Sequence, residues 1–177
     1  VPLHENEMMV LEEIEGFLGG EEIPAVDKVG WFTFGYVHEE QRVVGLGLYK
    51  KGLTTFPESI GNLTNLEELN LEDNNLETLP ASIGSLTNLK ELYLGHNKLT
   101  TLPASIGSLT NLKELYLGFN ELTTLPESLG NLKNLKELRL YENTLTTLPA
   151  SIGSLTNLDK LYLGHNKLTT LPASIGS

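Results

Sequence analysis

The sequence predicts an α/β solenoid: a stack of short strands and turns, with one helix and one extra strand ahead of it. Three observations carry that expectation. A 23-residue phrase starts at Val43 and again at Leu66, Leu89, Leu112, Leu135 and Leu158, the last copy stopping at Ser177, three residues short. Within each copy, apolar residues first alternate with polar ones and then space out around a Pro and a Gly. The first 42 residues follow neither pattern and are irregular and acidic. A fixed period of about 20–50 residues marks stacked units that bury their core only against neighbours.

The elements follow in order. Residues 5–18 place Met8, Leu11, Ile14, Phe17 and Leu18 at helical spacing with glutamates between them, and Gly19-Gly20 ends the run. Ile23-Pro24 opens an extended connector, and residues 31–37 (WFTFGYV) are aromatic and β-branched, as a strand requires. Residues 38–41 form the turn, and 42–48 the return strand, which is also the first strand of the array. Residues 1–42 are therefore expected to cap the stack, with repeats over 43–177 as five full units and a truncated sixth. Trp31, the only tryptophan, is assigned to the core of the cap. At the other end Leu168, Leu171 and Ile175 have no following unit to cover them. That implies either a fragment of a parent with more repeats or a cap, or an end buried by another molecule, and an uncapped edge is expected to self-associate at high concentration.

In the repeats, the first, fourth and sixth positions (Leu89, Leu92 and Leu94 in the third unit) alternate as in a strand with one buried face. Leu99, Leu102, Ile106 and Leu109 then fill the interior along the outer side, where Pro103 and Gly107 favour tight turns over a full helix. Asn74, Asn97, Asn120, Asn143 and Asn166 recur at the ninth position, where an amide both donates and accepts. They read as a structural ladder that begins at Asn74, since Lys51 replaces the amide in the first unit. The Asn62-Leu63-Thr64 sequon is part of the repeat's own turn and reads as structural.

The phrase L-x-x-L-x-L-x-x-N-x-L, followed by x-x-L-P-x-x-I-G-x-L-x-x, resembles the leucine-rich repeat, and the resemblance covers residues 43–177. The 23-residue form is similar to the intracellular class found in Ras-pathway scaffolds, plant Ras-group repeat proteins and bacterial and archaeal cytosolic proteins. The segment WFTFGYV…RVVGLGLY resembles archaeal members. The resemblance implies a curved horseshoe with a concave parallel sheet, convex loops and short 3-10 turns, used to hold other proteins.

Composition narrows the function. The net charge is −11, with ten acids against Lys28 and Arg42 in residues 1–42 and thirteen against ten in the repeats. Without a basic stripe, neither a nucleic-acid backbone nor an anionic membrane is an expected partner. There is no cysteine, and no secretory leader or long apolar span is visible, so a cytoplasmic location is expected. Catalysis is not expected: there is no cysteine nucleophile and no phosphate-binding loop, and the four histidines lack metal spacing. No cofactor is implied.

Comparison among the copies shows where specificity can be written. The third and sixth units differ at only two of twenty shared positions, Lys90-Glu91 against Asp159-Lys160. Variation concentrates on inner-face positions that do not pack the core. The fifth column reads Gly47, Asn70, Tyr93, Tyr116, Arg139, Tyr162. The seventh reads Tyr49, Glu72, Gly95, Gly118, Tyr141, Gly164, and the eighth Lys50, Asp73, His96, Phe119, Glu142, His165. Neighbouring tyrosines can touch, Arg139 can stack on Tyr116 and Tyr162, and seventh-column glycines leave space beside those rings. Phe119 stands beside His96 and, less closely, His165. The expected partner-binding patch is Tyr93, His96, Tyr116, Phe119, Arg139 and Tyr162, with Glu72 and Asp73 as an acidic flank for a basic segment. Lysines and glutamates at the second and third positions read as solubility and cross-strand pairing. The expected function is a non-catalytic module binding a protein partner on the concave face. The rival readings are a structural or self-assembling array and an engineered consensus scaffold.

Overall fold

The computed structural model describes residues 2–176. Helix α1 (Glu5–Phe17) is followed by the antiparallel pair β1 (Phe34–Glu39) and β2 (Arg42–Leu48). Five three-residue strands then repeat: β3 (Glu68–Asn70), β4 (Glu91–Tyr93), β5 (Glu114–Tyr116), β6 (Glu137–Arg139) and β7 (Lys160–Tyr162). All seven lie in one sheet in chain order, and every pair from β2 onward is parallel. The register follows the sequence period, so Leu46, Leu69, Leu92, Leu115, Leu138 and Leu161 stand side by side.

The alternation of the phrase explains this sheet. Leu69, Leu92, Leu115 and Leu138 point inward and are fully buried, and the residues on either side of each face the opposite way. The outer side returns through 3-10 turns such as Ala81–Ser85 and Ala104–Ser108, each entered from a proline in extended conformation. Proline fixes that entry and the following glycine permits close stacking. A Cβ on Gly107 would lie 2.5 Å from the Ser128 carbonyl oxygen of the next turn. Between sheet and turns runs a single leucine core from the cap to the last unit.

The ninth-position amides join the units. Asn120 Oδ1 accepts from the Leu99 backbone N–H at 3.0 Å, and its Nδ2 donates to the Leu94 carbonyl of the preceding unit at 2.9 Å. Asn74, Asn97, Asn143 and Asn166 repeat the pattern, and Asn74 serves the Lys51 and Leu53 amides of the first unit. A second ladder was not anticipated. Asn88, Asn111, Asn134 and Asn157, at the last position of the phrase, each donate to a carbonyl of the unit before. Each of the first four joints thus has an amide on both edges.

The cap differs in detail from expectation. α1 buries Glu7, Val10, Leu11 and Ile14, whereas Met8 and Phe17 are exposed. The helix is rotated so that Glu7 reaches the start of the array. Its carboxylate accepts the Val43 N–H at 2.5 Å and meets Arg42 at 3.3 Å. An acid can occupy that buried position because both oxygens find donors there. The strand expected over 31–37 begins at Phe34, and the turn narrows to Glu40-Gln41, both with positive φ. Trp31 and Phe32 leave the strand, while the Thr33 carbonyl still accepts the Tyr49 N–H at 3.1 Å.

At the other end the core thins. Leu158, Leu161, Leu163, Leu168 and Ile175 are only partly buried, and Leu171 is exposed.

Candidate binding face on the concave sheet

The inner face is built from side chains that alternate with the buried leucines. Its centre is aromatic. Tyr93 and Tyr116 sit on adjacent strands with ring centroids 4.9 Å apart. The Arg139 guanidinium lies over the Tyr116 ring at 4.0 Å and 5.5 Å from that of Tyr162. The structure therefore brings the fifth-column residues Tyr93, Tyr116, Arg139 and Tyr162 into one row.

Trp31 belongs to this row rather than to the cap core. Its ring stacks on Tyr116 at 5.5 Å and tilts against Tyr93 at 5.1 Å, while 47% of the residue remains exposed. The cause is Asn70, which is fully buried and donates to the backbone carbonyls of Gly30 and Trp31 at 2.9 and 3.0 Å. That amide latches the 30–33 loop over the start of the sheet. Consequently Tyr93 and Tyr116 are buried beneath the indole, and Trp31, His96, Phe119 and Tyr162 are open to solvent. Asn70 carries no sequence signal beyond being the one amide in its column.

The eighth column takes a shape the sequence did not disclose. Lys50, Asp73, His96, Phe119, Glu142 and His165 all have φ between 54° and 57°. This left-handed kink lets the chain leave the strand and aims the ninth-position amide inward; it is uncommon for side-chained residues. It also turns the His96 and Phe119 rings outward, where they stack at 4.2 Å with 13° between planes. Tyr141 meets Phe119 edge-on at 5.4 Å. His165 does not join them and instead faces Glu142 at 3.8 Å.

The third column departs from the pairing expected of it. Glu68, Glu91 and Glu114 are register neighbours, so carboxylates face carboxylates. Burial, reinforced by Glu91 and Glu114, pushes the Glu68 carboxyl up to about 7. The strain is relieved downstream by neighbouring rings and bases. The Tyr93 hydroxyl donates to Glu91 at 2.6 Å and that of Tyr116 to Glu114 at 2.8 Å. Burial and these bonds push both phenols upward. At Glu137 burial pushes the carboxyl up, but bonds from Arg139 (2.7 Å) and Lys160 (3.2 Å) outweigh it and hold it below the usual range. The second column does pair as expected at Lys90 and Glu67, 2.5 Å apart.

Glu72 and Asp73 flank the aromatic row. Asp73 stands 4.0 Å from the exposed Lys50. Burial pushes the Glu72 carboxyl up, against an opposing pull from Arg139. Among the described residues no group of three or more His, Asp or Glu is placed to hold a metal ion, and no helix is long and apolar enough to cross a membrane.

A stacked parallel sheet with asparagine joints and 3-10 turns on its back defines a leucine-rich repeat solenoid. Two family models agree, one described as a leucine-rich repeat region over residues 45–119 and one as leucine rich repeat over 110–168. From residue 45 to residue 168 the chain is made of leucine-rich repeats. No curated protein matches the sequence. Among solved structures, the ectodomain of the receptor kinase SOBIR1 from Arabidopsis thaliana is 29% identical with a TM-score of 0.76; the match covers 98% of this chain and 99% of that one. The plant peptide hormone receptor RGFR1, in complex with RGF2, is 37% identical over 75% of this chain, with a TM-score of 0.65. The ectodomain of the Arabidopsis receptor kinase HAESA, in complex with an N-terminal extended IDA peptide hormone, is 32% identical over 80% of this chain, with a TM-score of 0.71. This chain spans 22% of the RGFR1 chain and 26% of the HAESA chain. The intracellular class and the archaeal likeness find no counterpart in these matches. Leucine-rich repeat proteins are in general protein-interaction modules.

Proposed function

We propose that this chain is a non-catalytic module that holds a protein partner on its concave face. The observation that carries the reading is the ordered aromatic row, with Trp31, His96, Phe119 and Tyr162 exposed on a hydrogen-bonded sheet. Rigid rings and a stacked guanidinium supply contact area with little ordering cost on binding. Tyr93 and Tyr116 act from beneath as the platform on which Trp31 and Arg139 rest. Glu72 and Asp73 give the face its acidic flank. Two of the receptors similar to this chain carry peptide hormones, which favours a peptide segment of the partner as the bound element.

The test compares partner capture by intact, Phe119→Ala and Arg139→Ala proteins, with Lys98→Ala as a control away from the row. Both row variants should lose capture, Phe119→Ala at unchanged melting temperature and Arg139→Ala with a small fall because its bond to the buried Glu137 is lost. Retention by both would remove the patch. The cysteine-free composition supports a cytoplasmic location, whereas the SOBIR1 and HAESA matches are ectodomains; fractionation of the native protein decides.

The exposed Leu171 and the partly buried leucines of the last unit favour a second reading, self-association through that end. Light scattering that shows rising mass with concentration would support it, and a constant monomer mass would remove it.

A further inference from the structure

Beside the aromatic row lies a recess of about 250 Å³ that none of the contacts described so far fills. It exists because the seventh column has no side chain at Gly95 and Gly118. Its walls come from three places. Trp31 and Phe32 overhang it from the cap loop, Tyr49 closes one side with its ring edge-on to Phe32 at 5.1 Å, and Tyr141 closes the other. The two glycines are the floor. A Cβ on Gly95 would stand 2.9 Å from Glu72 Oε1, and one on Gly118 would stand 2.7 Å from the Tyr141 ring. Glu72 and Tyr141 therefore lean into the gap from opposite ends.

The charges inside are unequal in one respect. Arg139 is matched by Glu137 at 2.7 Å and rests on Tyr116, and Asp73 faces Lys50. The Glu72 carboxylate, half-buried in the same recess, feels the charge of Arg139 but accepts no hydrogen bond and makes no ion pair among the described residues. A desolvated carboxylate among ring faces is completed by a cation. A planar guanidinium suits the space better than a compact ammonium, because it can lie flat on a ring while its edge donates to the acid. Arg139 on Tyr116 already shows that arrangement on this face.

We infer that this recess is a socket for an arginine side chain of the partner, clamped between the cap-loop rings and Tyr141 and paired with Glu72. The inference rests on the interaction-module reading and names the chemistry the partner must offer.

Trp31, the only tryptophan, provides the readout. The intact chain is titrated with N-acetyl-arginine amide while Trp31 emission is followed. A saturable change is expected, absent with the neutral N-acetyl-citrulline amide and weaker with the corresponding lysine amide. Glu72→Gln should weaken binding about tenfold, the size of a charge-assisted bond to a partly buried acid. Glu68→Gln, outside the recess, should leave it unchanged. No response, an equal response to citrulline, lysine as tight as arginine, or unchanged affinity in Glu72→Gln would each overturn the socket. The two readings fail separately. Loss of partner capture by Phe119→Ala without an arginine response removes the socket and keeps the patch; an arginine response with capture intact in Phe119→Ala and Arg139→Ala keeps the socket and removes the patch.

Discussion

Replacing Asn120 by alanine would strip the buried Leu99 N–H of its acceptor and thin the bonding at the Leu94 and Leu117 carbonyls. An unsatisfied buried donor costs about 1–3 kcal/mol. Asn120→Ala is therefore expected to lower unfolding free energy by that amount, measured by urea denaturation. Asn134→Ala, whose amide bonds on the exposed outer edge, should cost less. At this scale the sequence is uneven to read. The ninth-position amides announced themselves by repeating, and repetition without exposure is a structural signal. Trp31 and Asn70 did not, because their contact is made once, between residues about forty apart. Burial habits of tryptophan pointed to the cap core, and a specific latch overrode them.

Strands and turns were legible because each unit restates the same alternation, and stacking leaves little freedom in register. Two features of the elements stayed hidden. The eighth position takes a left-handed backbone although Lys50, Phe119 and Glu142 are poor choices for it. The glutamates of the third column looked like partners for lysines until the register set them against one another. The outer turns offer the sharper test of packing. Gly107→Ala places a methyl 2.5 Å from the Ser128 carbonyl oxygen, so turns 104–108 and 127–131 must separate. Overpacking of this kind costs about 1–3 kcal/mol. Gly164→Ala meets open space and should leave the melting temperature within error. Equal melting temperatures for the two variants would mean that the turns are not in contact.

For the whole molecule the third column sets a pH dependence. Glu68 is held at about 7 when folded against an ordinary value of 4.5, so the folded state keeps a proton that the unfolded chain releases. Stability should therefore fall as pH rises from about 4.5 to 7 and level off above that, and Glu68→Gln should flatten the fall. Thermal melts at pH 5, 6, 7 and 8 check it; a wild-type profile no steeper than that of the variant would remove Glu68 as the cause. Partial exposure and solvent screening keep the effect modest. The overall architecture was legible from the period, since a one-dimensional stack needs only nearest-neighbour rules. The concave face was legible as columns of residue types, but not as a surface. The cap loop that covers part of it comes from outside the repeat, and the recess is defined by two side chains that are missing.

The asparagine joints also bear on how such a chain changes over generations. Every joint is made the same way, each unit completing the bonds of the one before it. Excising residues 89–111 would leave each remaining joint whole, yet it would set Asn70 beside Tyr116 and Glu72 beside Gly118. Recombination in whole units can thus shuffle the recognition surface as a deck is cut, while the scaffold registers no change.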